Sequence, residues 1–484
     1  MCSKMTFSNH IFLLLSFVCA ATLFSGVESK TKDNLSKGFT VTPDSSVTSF
    51  QPLLTDSNAN FSLGLLRVNR TQLALVILHL PSSQQLWIAR TSRLPRWSPS
   101  THVFFNGSLV ISDQHSRVLW STNTDGDRVY LSNTSNLQIN GPDSILWQSF
   151  HFPSDTLLEN QNFTSNMTLN SSNGLYYMHL GYNFIGLYAK FTPHSGQDQI
   201  YYKRKAMEIK AKIVKGQGPI YASVRSDGFL GMYQNETAPI DIQSFSSYQQ
   251  YNPGNRILKI ESDGNLKGYY WTGSNWILDY EAVSEFCELP RSCGAYGLCH
   301  PSKGCSCLNN ETDFSSGKCE APENNSGDFC SLRNSKFKIL RKSGVELPYK
   351  ELMEYEKMNT LEQCERSCKE SCKCWGAVYS NSSGFCYRIE YPIQTLVSVG
   401  DDSKVGYFKV RESAGKSKMA IGLVIGAVLL CGVILVFAWI GVTWRRKRRA
   451  SRAYVEGDSG VVGVGPYKDL ASESFGSIEL SERR

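Results

Sequence analysis

The sequence predicts a mainly β, multi-domain protein carried on one membrane helix. Three observations carry that expectation. From about Ser36 to Tyr280 the chain has no cysteine and runs in short apolar–polar alternations broken by Asn-Gly and Asp-Gly pairs, the pattern of small antiparallel sheets. Twelve cysteines then crowd between Cys287 and Cys386, the density of modules held by disulfides. Finally, Met419 to Trp444 carries no charged residue and is followed at once by Arg445-Arg446-Lys447-Arg448-Arg449.

At the start, Lys4 and His10 precede an apolar run from Ile11 to Phe24 and a set of small residues. This reads as a secretory signal peptide over residues 1–29, too short in its apolar part to span a bilayer. The block at 419–444 is long enough to cross, and the basic run behind it places the C-terminus on the cytoplasmic side. The expected topology is therefore single-pass, type I, at the plasma membrane, with the N-terminus outside and a cytoplasmic tail over 445–484. Twelve N-x-S/T sequons all precede the helix: Asn34, Asn60, Asn69, Asn106, Asn133, Asn162, Asn166, Asn170, Asn235, Asn310, Asn324 and Asn381. Between Lys30 and Trp444 there are 40 basic and 36 acidic residues, a net of +4 against +7 for the whole chain. That balance points to no nucleic-acid partner.

In the cysteine-free half, three tryptophan strands recur: LWIAR (Leu86–Arg90), VLWSTN (Val118–Asn123) and ILWQSF (Ile145–Phe150). Trp87, Trp120 and Trp147 stand 33 and 27 residues apart, which suggests three similar β units around one core. FSLGLL (Phe61–Leu66), these strands, GSLVISD and above all WQSFHFPSDTLL (Trp147–Leu158) resemble the bulb-type mannose-lectin domain of plants. More narrowly they resemble the ectodomains of S-locus glycoproteins and G-type lectin receptor kinases. The resemblance implies a β-prism lectin domain over 36–160 and a second lectin-like, S-locus-glycoprotein region over 165–280. Within the latter, SDGFLGMY (Ser226–Tyr233) and SDGNLKGYY (Ser262–Tyr270) repeat 36 residues apart.

The family's sugar strand reads Q-x-D-x-N-x-V-x-Y. In FFNGSLVIS the matching positions are Phe104, Asn106, Ser108, Val110 and Ser112, and only the valine is kept. In LSNTSNLQIN they are Ser132, Thr134, Asn136, Gln138 and Asn140, again with one residue of the five kept. Both strands read as structural, and the first-domain mannose site as degenerate. ESDGNLKGY retains more: Asp263, Asn265 and Tyr269 match and Glu261 can still accept hydrogen bonds, while Lys267 replaces the apolar floor. Glu261, Asp263, Asn265 and Tyr269 are thus the carbohydrate-binding candidates. The plainer reading is that Asp263-Gly264-Asn265 is only a good turn.

The cysteine-rich half begins with six cysteines from Cys287 to Cys319, whose spacing alone leaves fifteen pairings open. CGAYGLC and the C-x-C step resemble the EGF-like module of the same receptors (283–320). That implies Cys287–Cys299, Cys293–Cys305 and Cys307–Cys319, rather than a zinc site. EAVSEFC offers only Glu281 and Glu285 as acidic residues, so no calcium or other metal is expected. Farther on, Cys364 and Cys368 stand one turn apart in LEQCERSC, a helix with Asn359-Thr360 at its start. KCWGAVYS and GFCYRIEY read as strands joined by a turn at Asn381. This segment, 330–411, resembles the α+β PAN/apple domain of plants. The resemblance implies Cys364–Cys386 and Cys368–Cys374 and leaves Cys330 with Cys372.

Beyond Arg449 only 35 residues follow, and the Gly-rich loop, catalytic loop and DFG of a kinase are not among them. GDSG at Gly457–Gly460 reads as chance. Tyr467-Lys-Asp-Leu470 has the form of an endocytic signal, and Gly422 with Gly426 offers a close-packing face for a homodimer. The eight histidines are scattered and no nucleophile–base set is visible, so neither enzymatic activity nor a cofactor is expected. The expected function is that of a receptor-like protein without a kinase, binding an extracellular glycan or protein and signalling, if at all, through a co-receptor kinase. The alternative is a structural adhesion or cell-wall-contact glycoprotein with no signalling role.

Overall fold

The computed structural model describes residues 34–191, 198–206, 220–234, 238–250, 255–308, 314–320, 329–330, 337–411 and 418–453. The leader, the tail beyond residue 453 and the sequons Asn235, Asn310 and Asn324 lie outside the described residues. The chain divides into two units, Met1–Glu412 and Ser413–Arg484.

The first unit is almost all antiparallel sheet. Its N-terminal part holds three four-stranded sheets. One sheet orders Phe50–Thr55, Phe61–Arg67, Leu73–His79 and Gln84–Ile88; the next orders Phe39–Val41, His102–Phe105, Leu109–Ser112 and Val118–Ser121; the third orders Leu35–Ser36, Arg128–Leu131, Leu137–Asn140 and Ile145–Gln148. The last strand of each carries one of the recurring tryptophans. Their rings meet edge to face in a triangle, with centroids 5.9 Å (Trp87–Trp120), 6.0 Å (Trp87–Trp147) and 6.0 Å (Trp120–Trp147) apart. Three quadrupoles in mutual edge-to-face contact close the centre of a prism. Inward-facing Leu63, Leu75, Ile77, Val103, Ile111, Val129 and Ile139 complete one shared core.

A second prism repeats the plan. Its sheets are Thr168–Asn170 to Gln199–Lys205, Tyr221–Arg225 to Pro239–Ser244, and Thr156–Leu158 with Arg256–Ile260, Leu266–Trp271 and Trp276–Glu281. The Asp-Gly turns of its repeats put Gly228 and Gly264 at φ +88° and +92°, a backbone conformation that disfavours any side chain with a Cβ. The WQSFHFPSDTLL block is the strut between prisms: Ile145–Gln148 belongs to the first and Thr156–Leu158 to the second. Trp87 Nε1 donates to Phe152 O (2.8 Å), and Arg90 Nη2 to the carbonyls of Pro153 (3.1 Å) and Ser154 (3.0 Å). At the same junction the His79 ring is buried among Phe61, Trp271 and Trp276, and Trp276 Nε1 donates to Ser82 Oγ at 2.9 Å.

The cysteine-rich half is not two separate beads. The hairpin Gly297–His300/Gly304–Cys307 is extended by Leu396–Ser398 and Val345–Glu346 from the last cysteine-rich module into one four-stranded sheet. That module's own five-stranded sheet includes Phe337–Ser343, Lys404–Arg411, Gly376–Ser380 and Phe385–Ile389. Helix α1, Leu361–Glu370, lies on it. Thr360 caps the helix, accepting from Gln363 N, while Gln363 Oε1 accepts in return from Asn359 N, a reciprocal satisfaction of free amide donors. One apolar core runs from the second prism through Tyr296 and Leu298 to Trp375, Tyr391 and Phe408.

In the second unit, helix α2 spans Lys418–Ala453. Its Val428–Arg448 stretch is long and apolar enough to cross a membrane.

Candidate functional site

The two first-prism strands that correspond to the sugar strand spend their polar groups on the fold. Ser108 Oγ donates to Thr124 O (2.5 Å) and accepts from Thr124 N (2.7 Å), and Asn106 Oδ1 accepts from Ser108 N. Val110 and Ser112 are buried, and the Asn106 side chain lies at the exposed hairpin turn. In the other strand, Asn136 is buried and pins the strut: its Nδ2 donates to Gln148 Oε1 (2.8 Å) and its Oδ1 accepts from Ser149 Oγ and Phe150 N. Ser132 and Thr134 bond each other at 2.8 Å.

In the second prism, Glu261, Asp263, Asn265 and Tyr269 come together on the hairpin Arg256–Ile260/Leu266–Trp271, in the sheet next to the first prism. They divide into two roles. Asn265 is buried, donating to Val283 O (2.7 Å) and accepting from Val283 N (3.0 Å), so its amide is wholly used in the interior. Asp263 Oδ1 accepts from Asn265 N and closes the turn. Glu261 and Tyr269 are half-buried, the Tyr269 ring packing against the core of the first prism and its hydroxyl donating to Glu261 Oε1 at 3.0 Å. Burial, then the Glu261 carboxylate, holds that phenol above its ordinary range, so it stays a hydrogen-bond donor at any physiological pH. Lys259 pairs with Glu261 (3.4 Å) and Lys267 with Glu281 (2.8 Å). The Glu281 hydrogen bond raises the Lys267 pKa. The result is a half-exposed row of fixed carboxylate, phenol and ammonium groups, a surface that can exchange hydrogen bonds with ligand hydroxyls without burying an unpaired charge.

Beneath this hairpin lies a pair that sequence reasoning missed. Arg256 and Asp279 are fully buried and joined at 2.6 Å. Asp279 also accepts from Ser247 N (2.8 Å) and Ser247 Oγ (2.5 Å), and Arg256 Nε donates to Ser226 O (3.1 Å). No local spacing marks these residues, because two strands and two loops deliver them.

The cysteines form six disulfides: Cys287–Cys299, Cys293–Cys305, Cys307–Cys319, Cys330–Cys372, Cys364–Cys386 and Cys368–Cys374. Cys293, Cys299 and Cys305 lie close enough to hold an ion, but each sulfur is bonded in a disulfide and offers no thiolate. Cys364 and Cys368 lie buried on one face of α1, and each ties the helix to residues outside it. Lys409 is buried beneath the helix end; its Nζ donates to Cys368 O (2.8 Å) and Ser371 O (2.9 Å). Of the described sequon asparagines, Asn34, Asn69, Asn106, Asn133, Asn162, Asn166 and Asn381 are exposed, and Asn60 and Asn170 are half-buried.

Two prisms of antiparallel sheet, a disulfide-held pair of modules and one membrane-competent helix define a lectin-domain receptor-like protein. The D-mannose binding lectin family matches residues 85–176 and the S-locus glycoprotein domain matches residues 221–311. A PAN domain-containing protein of Arabidopsis thaliana is 50% identical over 452 residues, 93% of this chain and 92% of its own length. The chain belongs to the family of that protein. A G-type lectin S-receptor-like serine/threonine-protein kinase of the same plant is 25% identical, matched over 85% of this chain and 54% of its own length. This chain therefore spans about half the length of that kinase relative. The EP1-like glycoprotein 4 of Arabidopsis thaliana is 26% identical over 65% of this chain and 75% of its own length. Among solved structures, the fetuin-binding two-domain lectin of Scilla campanulata aligns with 52% of this chain and 94% of its own, at 15% identity and a TM-score of 0.19, a likeness too slight to carry an argument.

Proposed function

We propose that this protein is a single-pass receptor-like protein of the plasma membrane whose extracellular part recognises a glycan and whose signalling runs through a separate kinase. One observation carries the reading: two lectin-type regions, twelve sequons and twelve paired cysteines all precede the apolar helix at Lys418–Ala453. Disulfides and N-glycans form in the secretory lumen, which becomes the cell exterior, and the arginines after the helix favour the cytoplasm. The chain acts by binding, not by catalysis. Its functional divisions are the lectin domain at 36–160, the S-locus region at 165–280, the EGF-like module at 283–320 and the PAN module at 330–411. Glu261, Asp263 and Tyr269 are the proposed contacts to a neutral sugar, with Asn265 supporting their turn from inside. The first-prism strands at Phe104–Ser112 and Ser132–Asn140 serve as scaffold.

The test is binding of mannosides by the full-length glycoprotein in detergent, beside Glu261→Ala and Tyr269→Phe variants. Binding that both variants weaken by about tenfold or more, the loss of a hydrogen bond to a charged group, supports the assignment. Binding unchanged in both variants removes it. Co-purification of a receptor kinase with the tagged protein from plant membranes supports the signalling arm. Its consistent absence favours an adhesive role.

A further inference from the structure

We propose that a cavity at the edge of the first prism binds a carboxylated saccharide, an inference that rests on the reading of this ectodomain as glycan-recognising. The cavity measures about 450 Å³ and lies among the Thr71–Gln72 turn, the Arg93–Thr101 loop and the Asp113–Leu119 turn. That volume suits a small ligand, since such sites run from roughly 300 to 1,000 Å³. None of Phe104, Asn106, Ser108, Val110 or Ser112 lines it, so it is a different place from the degenerate sugar strand.

Charge sets the ligand's sign. Asp113 accepts the backbone N–H groups of His115 and Arg117, each at 3.0 Å, and an ion pair from Arg93. Its one negative charge is thereby offset, and Arg93 is anchored in the wall. Arg96 adds a second cation. Its backbone is fixed by a bridge to Gln72 and by Thr101 Oγ1 donating to its carbonyl at 2.8 Å. Among the described residues its guanidinium makes no ion pair or hydrogen bond. Arg93, Arg96 and Asp113 together give the cavity one net positive charge, presented on the planar fork that matches a carboxylate.

The rest of the lining favours a sugar over a simple anion. Leu119 forms a buried apolar floor and Leu94 an exposed apolar wall, surfaces for the C–H face of a pyranose ring. Thr71 and Ser100 supply hydroxyls around it, and Gln72 an amide held in place by Asn69 Nδ2 at 2.6 Å. Such groups exchange hydrogen bonds with ring hydroxyls, whereas a small anion gains nothing from the apolar floor.

The experiment is calorimetric titration of the full-length glycoprotein in detergent with trigalacturonic acid, its fully methyl-esterified form and mannotriose. The expected result is binding of the acid, at least about tenfold weaker binding of the ester, and at least about tenfold weaker binding of the acid by Arg96→Ala. Arg96→Lys retains more of the affinity than Arg96→Ala. An unchanged near-ultraviolet tryptophan signal shows that each variant is folded. Equal binding of acid and ester, or undiminished binding by folded Arg96→Ala, overturns the proposal. A protein that binds mannotriose and not trigalacturonic acid refutes the cavity assignment and leaves glycan recognition standing; one that binds neither refutes both.

Discussion

Replacing Asp279 with alanine is the most informative perturbation of the second prism. Arg256 and Asp279 have side-chain exposures of 0% and 2%. Asp279→Ala leaves the buried guanidinium with Ser226 O and Ser247 Oγ as its hydrogen-bond acceptors, the Tyr270 ring 5.5 Å away, and Glu159, which accepts from Arg256 N, as the remaining carboxylate beside it. It also takes the acceptor from Ser247 N and Ser247 Oγ. Breaking a buried pair from one side costs about 3–5 kcal/mol, because the remaining charge is neither solvated nor neutralised. In a multi-domain chain one melting temperature mixes several transitions, so the assay is hydrogen exchange at the amides of Arg256–Ile260 and Trp276–Glu281. The expected increase in exchange rate there is about two to three and a half orders of magnitude. The double variant Arg256→Met/Asp279→Leu removes both charges and recovers most of that loss. An increase below about tenfold in Asp279→Ala, or a double variant as damaged as the single one, refutes the reasoning.

Trp87→Ala removes one corner of the tryptophan triangle and the bond to Phe152 O. A loss of about 3–5 kcal/mol is expected in the first prism, read as faster exchange in Val103–Ile111. The paired substitution Cys364→Ser/Cys386→Ser opens a closed loop of 22 residues, which the chain-entropy relation values at about 3 kcal/mol; urea unfolding followed at Trp375 measures it. His79 gives a pH dependence. Burial holds its imidazole below the ordinary 6.5, so above that pH both folded and unfolded chains are neutral there and nothing is lost. As pH falls through 6.5 the unfolded chain takes up its proton first, stability declines, and the decline levels off below the folded pKa. The protection of the amides at Trp271–Trp276, once the intrinsic pH dependence of exchange is divided out, should therefore fall between neutral and mildly acidic pH in the native protein, and His79→Phe should lose that dependence.

Much of the β architecture was legible because it is written in local repeats. The spacing of Trp87, Trp120 and Trp147 marked three units, and the rings do meet at one centre. Asp-Gly turns marked the hairpins of the second region, and Asn359-Thr360 marked the start of α1. Features made by distant segments were not legible. Leu298 pairs with Leu396, 98 residues away, so the two cysteine-rich modules share a sheet that no reading along the chain reveals. Asn265 looks like a surface turn residue, yet Val283, 18 residues on, draws its amide inside. Lys409 sits in an alternating strand with nothing to show that its ammonium closes a helix end. The cavity at Arg96 joins three turns spread over residues 71–119, each unremarkable alone.

The proposed saccharide recognition is tested most directly by a glycan array probed with the full-length protein in detergent. The predicted result is retention of acidic saccharides that Arg96→Ala abolishes, with any mannoside signal depending on Glu261 and Tyr269 rather than on the Phe104–Ser112 strand. An array on which the folded protein holds no saccharide, neutral or acidic, contradicts the account.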